Sequence, residues 1–167
     1  GSKLVVEGAG FLLNNEMDDF SSKPHTPNQF GLIGSEANSI EPGKRMLSSM
    51  TPTIVLHNEK PFLILGSPGG STIITVVLQV ILNIIEFNMD IEQAVYSPRI
   101  HHQWKPDKLY FEKFGLSKDV IENLKSMGHI IGNERVLGIV EAIMIDQKNK
   151  IIFGVTDKRG AGKVEGY

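Results

Sequence analysis

Two runs rich in β-branched and aromatic residues flank Asn58-Glu59, which predicts a hairpin with strands over residues 51–57 and 60–66. Residues 72–88 are apolar nearly all round and predict a helix buried on every side. A second helix is expected to start at the N-cap Asp90 and to stop before Pro98, because the residue preceding proline disfavours helix. A third runs from Ser117, as N-cap, to Met127, with Gly128 at the position that favours a left-handed residue. Residues 138–146 and 150–157, joined at 147–149, predict a second hairpin, and residues 4–7 and 11–14 read as short strands around Gly8-Ala9-Gly10. Strands paired through short turns, with helices between the pairs, place residues 1–167 in one α+β domain with largely antiparallel sheet.

Residues 15–50 break this pattern. They lack periodicity and carry Pro24, Pro27, Gly31, Gly34, Pro42 and Gly43 as breakers. Connections this long inside a domain are functional loops or disorder. This one begins with a carboxylate cluster and ends with paired serines, which favours function.

Composition narrows the classes. Of 167 residues, 41% are hydrophobic and 22% charged, ordinary values for a globular chain, and the net charge is −2 with no Lys/Arg block longer than a pair. That argues against a nucleic-acid partner, which rewards a concentrated basic patch. The absence of cysteine excludes thiol chemistry and cysteine-ligated zinc and fits an oxidising compartment. The longest apolar run, 73–85, is interrupted by Thr75, Gln79 and Asn83 and is too short and too polar to span a bilayer. No signal peptide is recognisable, and a chain that opens within a strand-like stretch reads as a fragment or a processed subunit.

Four constellations could carry chemistry. In Asn14-Asn15-Glu16-Met17-Asp18-Asp19-Phe20, continued strand would put Glu16 and Asp18 on one face, whereas a turn would bring Glu16 and Asp19 together. Such carboxylates can accept hydrogen bonds from an ammonium group, bind a metal or cap a turn; the spacing of a calcium-binding EF-hand loop is absent. Ser48-Ser49, within Lys44 to Pro52, offer hydroxyls that can donate to a carboxylate or complete a serine-rich turn. Gly66-Ser67-Pro68-Gly69-Gly70-Ser71, between strand and helix, presents bare backbone N–H groups at a positive helix end. It suits an oxyanion hole, a phosphate cradle or a tight turn, although the Gly-Lys-Ser/Thr of a Walker motif is missing. His101 and His102 alternate on an extended segment, which makes a poor metal pair and favours a buried, hydrogen-bonded role; His57 reads as surface.

These segments together, in order and spacing from Val5 to Tyr167, resemble the C-terminal part of the small subunit of γ-glutamyltranspeptidases: Leu13 to Ser21, Lys44 to Thr53, Gly66 to Ser71 and Pro98 to Trp104. The resemblance implies an N-terminal-nucleophile hydrolase with an αββα sandwich, incomplete without the large subunit cut from the same precursor. It implies γ-glutamyl transfer from glutathione and related amides to water or amino acids through a γ-glutamyl-enzyme, with neither cofactor nor metal. Glu16 and Asp19 would bind the α-amino group of the substrate, Ser48 and Ser49 its α-carboxylate, and the Gly69 and Gly70 amides the oxyanion. Residues 24–35 match the lid loop of bacterial members, with Phe30 where a gating aromatic, often tyrosine, stands; those members also imply a periplasmic or secreted location.

The chain departs from the family at Ser71-Thr72, where many members have Ser-Arg, and at Lys158, where proline is usual. The nucleophilic threonine has no counterpart, since Gly1 has no hydroxyl and Ser2 is not at the matching place. An inactive fragment, binding glutamate or a partner at most, is therefore an alternative expectation. A serine hydrolase using Ser67, Ser48 or Ser49 is a third, but neither paired serine has a nucleophile-elbow context.

Overall fold

The computed structural model describes residues 2–166, so the expectation for Gly1 and the end of the resemblance at Tyr167 lie outside the described residues. The chain forms two compact units, residues up to Met50 and residues from Thr51 onward. In the second, β1 (Thr53–His57), β2 (Lys60–Gly66), β6 (Glu141–Asp146) and β7 (Ile151–Thr156) form an antiparallel sheet in the order β1-β2-β6-β7. β3 (Ile100–His101), β4 (Leu109–Phe111) and β5 (Ile131–Glu134) make a smaller sheet, with β3 and β4 antiparallel and β4 and β5 parallel. The helices are α1 (Ile73–Ile85), α2 (Ile91–Tyr96) and α3 (Lys118–Ser126). Both predicted hairpins and all three helices are present, and the class is α+β.

Period-two alternation explains the core. Leu63, Leu65 and Ala142 point from the large sheet into a cluster with Val76, Val77, Val80 and Ile84 of α1 and Ile91, Ala94 and Val95 of α2. The register carries a second apolar row, Ile54, Ile64 and Ile143, on the opposite face, and Ile54 is 63% exposed. A sheet apolar on both faces asks for cover on both.

The expectation that α1 is buried all round is corrected. Ile74, Leu78, Leu82 and Ile85, on one stripe, are exposed, while the opposite stripe fills the core. The polar residues Thr75, Gln79 and Asn83, spaced by four, form a third face that docks neighbouring backbone. Gln79 mimics a strand edge: its Nε2 donates to Ile100 O at 2.8 Å and its Oε1 accepts from Ile100 N at 2.9 Å. Asn83 donates to Ala94 O at 3.2 Å. No helix among the described residues is long and apolar enough to cross a membrane.

A buried charge network locks the back of this unit. Arg99, 1% exposed, donates to Asp157 Oδ2, Val95 O and Leu137 O at 2.7, 2.6 and 2.7 Å. Arg159 donates to both Glu112 oxygens and to Asp157 Oδ1. The carboxylates in turn accept the backbone N–H groups of Arg99, Leu137 and Val140. Burial works against the charge on Asp157 and Glu112, but these donors outweigh it and hold both below their ordinary range.

In the first unit, the strands expected over 4–7 and 11–14 contract to a single bridge, Val5 with Leu12. Gly8 and Gly10 both take positive φ there, so the chain reverses too tightly for a longer ladder.

Candidate active site

The carboxylate cluster turns rather than extends. Glu16–Asp19 is a 3-10 turn, a geometry with three residues per turn that puts positions i and i+3 on one side. Glu16 and Asp19 therefore share a face, and Asp18 does not. Ser49 reaches this turn from the end of the aperiodic stretch, donating from Oγ to Asp19 Oδ2 at 2.9 Å. Ser48 is exposed beside it, its Oγ engaged, among the described residues, with the backbone of Met50, at 3.4 Å to the carbonyl and 3.3 Å from the amide.

Asn38 holds the two segments together, and sequence reasoning passed over it. Its Nδ2 donates to Asp19 O at 2.7 Å and its Oδ1 accepts from Leu47 N at 3.1 Å, while its own carbonyl accepts from Ser21 N at 2.8 Å. One amide side chain thereby supplies backbone partners to both the acidic turn and the strand of serines. Nothing in its local sequence marks it, because its partners lie far along the chain. The result is a partly exposed arc of two acceptors and two hydroxyl donors, which can take an ammonium at one end and a carboxylate at the other.

Phe30 lies at the tip of the 24–35 loop. Asn28 organises that tip: its Oδ1 accepts from Phe30 N and Leu32 N at 2.9 and 3.0 Å, and its N–H donates to Leu32 O at 2.8 Å. The ring is 47% exposed.

In the second unit, Gly69 and Gly70 form the turn between β2 and α1, with φ of 146° and 57°. Gly69 must lack a side chain, since a Cβ there would sit 2.4 Å from Thr72 Oγ1. Thr72 clamps the Gly69 carbonyl from two sides, by its N–H at 3.2 Å and its Oγ1 at 2.9 Å. In a trans peptide the following N–H points the opposite way, so the Gly70 amide faces out of the helix. Neither amide has an acceptor among the described residues. Two N–H groups without an acceptor on one turn can stabilise developing negative charge.

The remaining candidates are structural. Ser67 Oγ donates to Pro68 O at 2.8 Å and accepts from Ile139 N at 3.0 Å. Among the described residues none of Ser48, Ser49 and Ser67 bonds to a histidine that could take its proton, which counts against a serine hydrolase. His101 is 1% exposed, with Nδ1 2.8 Å from Thr75 Oγ1 and Nε2 2.7 Å from Gln103 Oε1. Burial, only partly offset by Gln103, pushes its imidazole below the ordinary value, so the ring is neutral. His102 is exposed beside Asp107, and His57 is exposed.

The sequence profile of the Gamma-glutamyltranspeptidase family matches residues 1–167. Glutathione hydrolase proenzymes of Pseudomonas aeruginosa and Escherichia coli are 48% and 45% identical over 97% and 95% of the chain. The chain spans 29% and 27% of those proteins, less than a third of their length. A crystal structure of a Helicobacter pylori γ-glutamyltranspeptidase mutant superposes with a TM-score of 0.90 at 57% identity, covering 96% of this chain and 87% of that one. The transpeptidase CapD of Bacillus anthracis, at 21% identity and a TM-score of 0.65, shares the fold over 97% of this chain and 96% of its own. A match along the whole sequence and a backbone shared with solved relatives lead to one statement: the chain belongs to the γ-glutamyltranspeptidase family.

Proposed function

We propose that this chain supplies substrate recognition and the oxyanion hole of an enzyme that moves the γ-glutamyl group of glutathione and related amides to water or amino acids. The observation that carries this is the meeting of Asp19 and Ser49 on the turn that also presents Glu16. A free glutamyl head is a zwitterion, and few ligands need an acceptor pair and a donor pair side by side. Glu16 and Asp19 take the α-ammonium, and Ser48 and Ser49 turn their hydroxyls from Met50 O and Asp19 to donate to the α-carboxylate. The Gly69 and Gly70 amides receive the carbonyl oxygen as it becomes an oxyanion.

The attacking threonine comes from outside these residues in this reading. Its hydroxyl adds to the γ-carbonyl, its proton passes to its own α-amino group, and the C–N bond breaks as the leaving amine takes that proton. Water or an acceptor amine then attacks the resulting ester. A large subunit from the same precursor covers the partly exposed row Ile54, Ile64 and Ile143 and the outer stripe of α1, and the assembled protein lies in the periplasm or outside the cell. Proenzyme is the word used of the relatives, which supports a cleaved precursor.

The test is release of p-nitroaniline from γ-glutamyl-p-nitroanilide by the complete protein, with the 167-residue chain alone as comparison. Turnover by the complete protein, and none by the chain alone, is the expected pair of results. A complete protein without turnover would sink the functional reading. Turnover by the pure chain would sink the assignment of the nucleophile to a residue outside it.

A further inference from the structure

The side chain of Ser71, which is part-buried, immediately follows the two glycines of the turn. It donates to Gln103 Oε1 at 2.5 Å, across 32 positions of sequence. The same oxygen lies 2.7 Å from His101 Nε2, and Gln103 Nε2 donates to Lys105 O at 2.9 Å. That last bond fixes which end of the amide is oxygen. An amide oxygen only accepts, so His101 must carry its hydrogen on Nε2. The neutral ring then has Nδ1 free to accept from Thr75 Oγ1, 2.8 Å away. Thr75 Oγ1 also lies 3.0 Å from the carbonyl of Thr72. A ring of contacts thus leaves the helix start at Ser71, passes through Gln103 and His101, and returns at Thr75 beside Thr72.

Its members come from two directions. Ser71, Thr72 and Thr75 belong to the start of α1 and the turn before it; His101 ends β3 and Gln103 follows it. Gln79, one turn beyond Thr75, staples Ile100 to the same helix through two bonds, Nε2 to Ile100 O and Ile100 N to Oε1, while its Nε2 also donates to Thr75 O. The arrangement holds the edge of the small sheet rigidly against the first turn of α1. On its other side, Thr72 clamps the Gly69 carbonyl. Neither Ser71 nor Gln103 presents a free polar group to a substrate in this arrangement. Their bond lies next in sequence to the backbone that carries the Gly69 and Gly70 amides.

We propose that Gln103, oriented by buried His101, is a positioning residue that sets the aim of the oxyanion amides through its hydrogen bond with Ser71. The proposal rests on the assignment of those amides to the oxyanion hole. Glycine at two successive positions makes this turn easy to deform, and the tie at Ser71 is what a flexible turn needs to hold a fixed geometry. Donors fixed in advance are worth most to a charge that exists only in the transition state. Loss of the tie should therefore weaken stabilisation of the tetrahedral state while leaving recognition of the glutamyl head intact.

The experiment uses the complete protein and two probes: L-glutamate, which reads the head-group site, and the boronic acid that puts boron in place of the γ-carboxyl carbon, which forms a tetrahedral adduct. For Ser71→Ala and Gln103→Leu we expect affinity for the boronate to fall about tenfold, with affinity for glutamate within about twofold. The double variant should fall no further than the weaker single, because each change already breaks the Ser71–Gln103 bond. Ser71→Thr, which keeps the hydroxyl, should restore boronate affinity to within about threefold of the parent. Parallel loss of both probes, or a drop in melting temperature with the ratio of affinities unchanged, would overturn the positioning role and leave the functional reading standing. If the unsubstituted protein bound neither probe, the functional reading would fall and this proposal with it.

Discussion

Asp19 and Ser49 are 30 positions apart in sequence and joined by a 2.9 Å hydrogen bond from Oγ to Oδ2, so the acidic turn and the paired serines are one structural feature. The serine occupies one lone pair of the carboxylate and releases it when its hydroxyl turns to a ligand carboxylate. Asp19→Asn keeps the shape and removes the charge, and bonds to charged groups are worth about 1.5–3 kcal/mol, so affinity for glutamate should fall about 10- to 100-fold. Ser49→Ala should cost less, and the double variant less than the sum, because the two touch. Asp18→Asn, on the other side of the 3-10 turn, should stay within about twofold. Calorimetric titration of the complete protein with L-glutamate measures all four.

Gly69 is required for its backbone and for its missing side chain. Its φ of 146° is rare for other residues, and an added Cβ would meet Thr72 Oγ1 at 2.4 Å and break the clamp on the Gly69 carbonyl. Gly69→Ala in the complete protein should lower kcat by about a hundredfold, the scale of losing one oxyanion donor, with KM within about threefold. Gly66→Ala is the control: a Cβ there meets nothing within 4 Å. Steady-state kinetics with γ-glutamyl-p-nitroanilide separate the two. A Gly69→Ala enzyme with unchanged kcat would remove the turn from the reaction.

How much of this was legible in the chain depends on the range of the interactions. The hairpin on Asn58-Glu59 and the helix starts at Asp90 and Ser117 were readable because turn and cap chemistry are local; Asp90 accepts from Gln93 N at 2.7 Å as an N-cap should, whereas Ser117 takes the N-cap position without a side-chain cap bond. Glu16 and Asp19 were readable as a candidate pair, but whether they shared a face depended on the chain turning, which local pattern left open. β3, β4 and β5 were missed, since segments of two to four residues carry too little alternation to register and a parallel pair has no turn to announce it. The spacing of Thr75, Gln79 and Asn83 by four was visible and was used only to argue against a membrane span. Its meaning appears once Gln79 is seen bonded to Ile100. Asn38, Arg99 and Asp157 each have partners far along the chain, up to 58 positions away, and leave no local trace.

The two apolar faces of the second unit predict the behaviour of the chain without a partner. Ile54 at 63%, Ile74 at 67% and Leu78 at 50% exposure are large side chains on ordered elements. Ordered apolar surface on a sheet face and along a helix stripe drives association. The purified 167-residue chain should therefore sediment as dimers or larger species at micromolar concentration, and Ile54→Glu with Leu78→Glu should shift it toward monomer. A parent chain that sediments as a clean monomer would contradict the view that these faces are interfaces.

The buried network predicts a pH response with a definite sign. Asp157 and Glu112 have folded-state values below the ordinary 3.8 and 4.5, because the N–H groups of Val140, Leu137 and Arg99 and the two guanidinium groups outweigh burial. In the window below the ordinary values the unfolded chain binds more protons than the folded one, so stability falls as pH falls. The contribution is complete above about pH 5 and is lost as the solution passes through the folded values. Amide exchange at Leu137 and Val140, which donate to these carboxylates, should therefore accelerate between about pH 5 and pH 3 beyond the intrinsic rate. Asp157→Ala strands Arg99 without its charge partner, a change worth about 3–5 kcal/mol for a buried pair, and should expose the same amides at neutral pH. Asp157→Asn keeps an acceptor for Val140 and should show weaker protection with a flatter pH dependence. Protection at Val140 that stayed constant through this range in the parent would show that the carboxylate does not hold this segment.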